Sequence, residues 1–142
     1  MNDVDLAFTP AWQLRNWIGE QKLSPVELVS TYLGRIESLN PRLNAFLTVC
    51  GDEALAAAKI AEEQVMRGEA LGALHGIPVP IKDLNRTAGI RTTRGSLIFK
   101  DDVPDMDDLV VARIRAAGAI IIGKTNTPEF GHRGTTENLL GE

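Results

Sequence analysis

Apolar positions along this chain recur at helical spacing in some stretches and in short continuous runs in others, which predicts helices alternating with strands. Thr9-Pro10 opens the first helix, a hydroxyl N-cap followed by proline at the first helical position. It carries Trp12, Leu14, Trp17 and Ile18 and stops near Gly19, with the two tryptophans expected as core anchors. Ser24-Pro25-Val26-Glu27 opens a second helix with the elements of a capping box. Val26, Val29, Leu33 and Ile36 form its apolar stripe, and Asn40-Pro41 is expected to end it. Residues 45–49 read as a strand. A third helix over about 52–67 places Ala54, Ala58, Ala61 and Val65 on one face and Lys59, Glu62 and Glu63 on the other, with Gly68 closing it. Residues 76–84 then read as a second strand. After an irregular segment at 83–107, a fourth helix starts at Asp107 or Asp108, buries Val110, Ile114 and Ala117, and ends at Gly118. Residues 119–122 form the last strand, and Thr127-Pro128-Glu129 begins a short helical turn. The predicted class is α/β, with strands covered by helices.

Composition narrows the function classes. The 142 residues fit one domain, and a hydrophobic content of 44% with 24% charged residues is ordinary for a globular protein. A net charge of -4 argues against general nucleic-acid binding. Cys50, the one cysteine, suits a reducing compartment. The apolar runs are too short to span a bilayer, and Asp3 and Asp5 stand where a secretory signal needs basic residues, so a cytoplasmic location is expected.

Two lysines draw attention. In Ile77-Pro78-Val79-Pro80-Ile81-Lys82-Asp83 the apolar residues alternate as in a strand, the prolines restrict its pairing, and the run ends on an ammonium group. A lysine drawn toward a core can lose its proton and act as a base. The alternative for Lys82 is a solvent-reaching lysine where a strand meets a loop. The second lysine lies in Gly-Ala-Ile-Ile-Ile-Gly-Lys-Thr at 118–125, which satisfies the phosphate-loop pattern G-x-x-x-x-G-K-T. Such a loop follows a strand and wraps a phosphate with backbone amides before a helix. Here the first glycine ends a helix and the middle residues are the strand itself, so nucleotide binding is not expected. Lys124 is read as a strand-end lysine at the surface or at the rim of a site.

The segment Gly72-Ala73-Leu74-His75-Gly76-Ile77-Pro78-Val79-Pro80-Ile81-Lys82-Asp83 closely resembles the lysine segment of the amidase signature family. The resemblance continues through Thr92-Thr93-Arg94-Gly95-Ser96, residues 115–126 and Pro128-Glu129-Phe130, and covers 6–138 in order. It implies a large mixed sheet covered by helices, a small-molecule amide substrate, no cofactor, and amide hydrolysis by a serine nucleophile, a second serine in a cis peptide and a lysine. By position Lys82 matches that lysine. The two serines belong to a Gly/Ser-rich stretch beyond the matched region, and Ser96 is not the nucleophile. Leu139-Leu140-Gly141-Glu142 leaves the family pattern. Residues 1–142 are therefore expected to be a single segment, the N-terminal part of an amidase, inactive alone. A free lysine titrates near 10.4, so a neutral base at pH 7 needs a depression of about three units, roughly 4 kcal/mol. Within the family the choices are a general amidase and the amidase subunit of a tRNA-dependent amidotransferase. Pro128 stands where the latter often carries an acidic residue, which favours the former.

Other candidates are weighed beside Lys82. His75 and His132 lack ligand companions, so no metal site is expected, and His75 is read as a packing or capping residue. Asp83 either orients Lys82 or caps a turn. Asn126 and Glu129 lie past a strand's C-terminal end, where α/β proteins place sites, or else cap the following short helix. A reading from a different class is a non-catalytic fragment that binds another chain or itself through exposed sheet edges.

Overall fold

Three strands form a mixed sheet in the computed structural model, which describes residues 3–140. The elements run α1 (Asp3–Phe8), α2 (Ala11–Gly19), α3 (Pro25–Leu43), β1 (Phe46–Val49), α4 (Gly51–Met66), β2 (Pro78–Lys82), α5 (Leu109–Ala116) and β3 (Ile120–Thr125). Short 3-10 turns occupy Leu97–Phe99 and Glu129–Gly131. The spatial order is β1-β3-β2, with β1 antiparallel and β2 parallel to β3.

The central strand explains the layers. Ile120 and Ile122 project to one face, against Val29 of α3 and Ala54, Ala58 and Ala61 of α4. Ile121 projects to the other and packs with Ile81 and Val111 of α5. Alternation on β3 thus demands a helical layer on both faces, as its unbroken apolar run implies. The small residues on α4 let that helix lie close to the sheet, and the four buried positions expected for it are the four observed. A further cluster of Leu6, Leu14, Ile18, Leu23, Leu28, Val65 and Ile77 joins the N-terminal helices to the sheet's margin.

Several expectations change. Pro41 lies inside α3, which continues to Leu43 and ends where Asn44 adopts a left-handed conformation (φ 48°). Proline lacks one donor, but the last turn of a helix tolerates that loss once a left-handed cap closes it. Ser24 caps α3 through Val26 and Glu27 N–H, while its own hydroxyl donates to Glu62 of α4. In α5 the buried residue is Val111, and Val110 is 48% exposed. Asp107 and Asp108 do not cap that helix with their side chains. Asp107 accepts from Ala88 N–H (2.7 Å) and Asp108 from Arg86 N–H (2.8 Å), stitching down the irregular segment. The Arg86 amide and then its guanidinium hold the Asp108 carboxyl below the ordinary carboxylate value. Trp12 is exposed rather than anchoring the core, whereas Trp17 packs against it.

Both glycines of the phosphate-loop pattern have structural causes. Gly118 leaves α5 with φ 89°, and a Cβ there would come within 2.9 Å of His75 Cα. Gly123 sits inside β3, where a Cβ would meet Thr48 O at 2.3 Å as β1 crosses closely. Neither backbone can give way without moving a strand or turn. Gly123→Ala is expected to cost about 1–3 kcal/mol through this overpacking. Thermal unfolding measures it, and a melting temperature equal to wild type would mean that β1 repositions freely.

Candidate active site

The C-terminal ends of the parallel strands β2 and β3 lie side by side, Lys82 opposite Thr125 and Ile81 opposite Lys124. At this end α/β sheets gather functional groups. The alternation that buries Ile81 and Asp83 turns Lys82 outward, so its side chain is exposed at the edge of the sheet. Because Asp83 N–H donates to Thr125 O (3.0 Å), the odd-numbered amides of β2 face β3. Pro78 and Pro80 therefore fall on the open-edge side, where their missing donors cost nothing.

Asp83 turns inward, away from Lys82. Its Oδ2 accepts from the Thr93 amide (2.9 Å) and the Thr93 hydroxyl, and its Oδ1 lies 3.6 Å from Lys124 Nζ. Of the two roles weighed for it, the observed one is nearer to a cap, but of a loop ten residues on. Lys124 corrects the sequence reading more sharply. It stands one residue before the end of β3, as expected, but not at the surface: both members of this pair are 0% exposed. The ammonium donates to Asn85 O (2.8 Å) and Thr92 Oγ1 (2.6 Å). Burial pushes Lys124 below lysine's ordinary value, and the Asp83 carboxylate opposes that shift.

Around this pair Thr87, Thr92, Thr93, Ser96 and Thr127 are all buried. Ser96 Oγ donates to Glu129 Oε1 (2.7 Å), joining the 92–96 loop to the turn after β3. Asn126 donates to Asn44 O (2.9 Å) and accepts from Thr127 N–H (2.8 Å) and Asn138 Nδ2 (2.6 Å). Glu129 and Asn126 are thus tied into loop-to-loop bonds, and neither side chain caps the 3-10 turn. A cavity of ≈ 490 Å³ opens beside them, lined by Ser96, Glu129, Phe130, His132 and Asn138 among others.

The histidines stay apart. His75 is buried, with Nε2 2.9 Å from Ala61 O, as a packing residue should be, while His132 is exposed. Among the described residues no group of three His, Cys, Asp or Glu side chains is arranged to hold a metal ion. No helix of the described residues is long and apolar enough to cross a membrane. Gly141 and Glu142, within the segment that departs from the family pattern, lie outside the described residues.

What sequence reasoning missed is the buried network on Lys124. The signal was present: Ile120 to Ile122 is an apolar run leading to a lysine, the same cue that singled out Lys82.

Comparison with known proteins adds to this geometry. The amidase family profile matches residues 27–142. The A subunit of the glutamyl-tRNA(Gln) amidotransferase from Alkaliphilus metalliredigens is 42% identical over 125 residues, covering 88% of this chain and 26% of that protein. Its counterpart from Anaeromyxobacter dehalogenans is 45% identical over 121 residues, covering 85% and 25%. Among solved structures, the peptide amidase of Stenotrophomonas maltophilia superposes with a TM-score of 0.81 at 36% identity, over 87% of this chain and 26% of that one. A bacterial aryl acylamidase of the amidase signature family superposes with a TM-score of 0.88 at 30% identity, over 94% and 28%. The chain spans about a quarter of the length of the curated relatives it matches.

Proposed function

The chain belongs to the amidase family, and we propose that it is the N-terminal part of an enzyme that hydrolyses carboxamides, to which it contributes Lys82 as the proton-transfer residue. The observation that carries this reading is the placement of Lys82. It stands at the C-terminal end of a parallel strand, exposed, between two buried neighbours that fix its backbone. In the proposed chemistry the neutral Lys82 amine takes a proton from one serine hydroxyl, which takes it in turn from the nucleophilic serine. The serine oxygen bonds to the amide carbon, the C–N bond breaks, and the amine leaves with the proton as an acyl-serine forms. Water then hydrolyses the acyl group by the reverse proton path. Both serines come from the part of the enzyme beyond this chain, as the family resemblance implies, so residues 1–142 alone are inactive on this reading.

A second reading is the amidase subunit of a tRNA-dependent amidotransferase. It rests on the 42% and 45% identity to the two amidotransferase proteins, against 36% and 30% to the peptide amidase and aryl acylamidase. Pro128 in place of an acidic residue favours the stand-alone amidase. A cytoplasmic setting suits both readings and the free, buried Cys50. The test is ammonia release by the enzyme carrying this segment, with peptide amides, aryl amides and glutamine, each with and without tRNA. Turnover of simple amides without tRNA is expected. Turnover restricted to glutamine and stimulated by charged tRNA would select the second reading, and no turnover of any amide would refute both.

A further inference from the structure

The turn that follows Lys82 is held from beneath by one buried ammonium. Lys82 O accepts from Asn85 N–H (3.0 Å), and Asn85 O accepts from Lys124 Nζ (2.8 Å). Asp83, between them, is tied to β3 through its amide, to Arg94 N–H through its carbonyl (2.9 Å), and to Lys124 through its carboxylate. Lys124 therefore grips the turn at the Asp83 side chain and at the Asn85 carbonyl.

The carboxylate is unevenly satisfied. Asp83 Oδ2 has the Thr93 donors, but Oδ1 is buried with no hydrogen-bond partner among the described residues. The positive charge 3.6 Å away is what neutralises it. A buried carboxylate left with an uncompensated oxygen is costly, and the nearest alternative cation along the chain is its neighbour, Lys82. Among the described residues no hydrogen bond or ion pair engages the Lys82 ammonium.

We propose that Lys124 is a positioning residue for catalysis: it is the fixed counter-ion that locks Asp83 against β3, keeping that carboxylate off Lys82 and holding the turn that sets the Lys82 amine in place. This rests on the reading of Lys82 as the proton-transfer residue. It assigns to the Gly-Lys-Thr of the phosphate-loop pattern a role unrelated to phosphate. The charged or titratable groups acting on Lys124 are Asp83, the Cys50 thiol before α4 and Asp108 before α5. Asp83 is the one in ion-pair contact, so it dominates the response to a change at Lys124.

The experiment is the pH profile of kcat/KM for a simple amide in the full enzyme, whose acidic limb reports the base of the free enzyme. Lys124→Met removes the counter-ion while the Thr93 donors still hold Asp83 Oδ2, so Lys82 becomes the nearest cation along the chain to that carboxylate. The acidic limb is expected to move up by about one pH unit. Adding Asp83→Asn to Lys124→Met is expected to bring the limb back to its wild-type position. A purely structural role lowers the folded fraction in both variants and moves the limb in neither. If Lys124→Met does not fold, Asp83→Asn alone reads the same coupling with the opposite sign, moving the limb to lower pH.

An unmoved limb in a folded variant, with Lys82→Ala inactive, overturns this inference and leaves the role of Lys82 intact. Full activity in Lys82→Ala overturns that role and this inference with it.

Discussion

Lys82→Ala is expected to lower kcat/KM for amide hydrolysis by about a thousandfold or more in the enzyme that carries this segment, within the range for a positioned acid–base group. Alanine removes the amine on which the proposed proton relay ends, and kcat should fall with little change in KM, as for an interaction made in the transition state. Stability should be unaffected within about 0.5 kcal/mol, because the side chain is exposed and the backbone clamps belong to its neighbours. Steady-state kinetics beside a thermal melt separates the two effects. A variant that retains a tenth of wild-type kcat while melting normally would remove Lys82 from the chemistry.

Asp83→Ala is expected to destabilise the fold by about 3–5 kcal/mol, because it leaves the Lys124 ammonium buried without its counter-charge. For a chain of this size that lowers the melting temperature by on the order of 10 °C or more. Arg133→Ala offers the contrast. It breaks the exposed pair with Glu137 and should change stability by less than about 1 kcal/mol. The pH dependence has a definite sign. Lys124 titrates lower when folded than when unfolded, so the folded state bears the cost of its charge at neutral pH and sheds that cost as pH rises toward 10.5. Removing Asp83 removes the group that supports the charge, which widens this window. The deficit of Asp83→Ala relative to wild type should therefore shrink as pH rises, measured by chemical denaturation from pH 7 to pH 10. Tyr32, raised by burial, titrates in either protein and cancels in the difference, whereas the Cys50 thiol feels Lys124, so the comparison is made with Cys50→Ser in both proteins. A deficit under 1 kcal/mol at pH 7 would show that water reaches Lys124 when Asp83 is gone.

Local physics sufficed for much of this protein. The 3.6-residue period of Ala54, Ala58, Ala61 and Val65 picks out the buried face of α4 because a helix with one apolar stripe has one way to bury it. The run Ile120 to Ile122 between a helix-ending glycine and a turn is a strand whatever its resemblance to a phosphate loop, since an extended strand does not wrap its amides around an anion as a loop before a helix does. Strand alternation placed Lys82 at the end of a strand whose prolines restrict its pairing, and the succession of motifs carried the family.

Tertiary structure decided the rest. Whether a lysine at the end of an apolar strand faces water or the interior depends on what packs on each side of the strand. Lys82 lies on an edge strand and is free to turn outward. Lys124 lies on the central strand, under Asn85 and the threonines of the 92–93 turn, and has nowhere to go but toward Asp83. Sequence spacing does not encode that difference, because the partners sit 32 to 41 residues away in the chain and meet only when β2 and β3 pair. The same holds for Val110 and Val111, adjacent apolar residues on a short helix, whose choice is settled by where the sheet lies. Sequence alone specified the three strands, most of the helices and the family; the pairing of two parallel strands decided that Lys82 faces outward and created the buried charge pair beneath it.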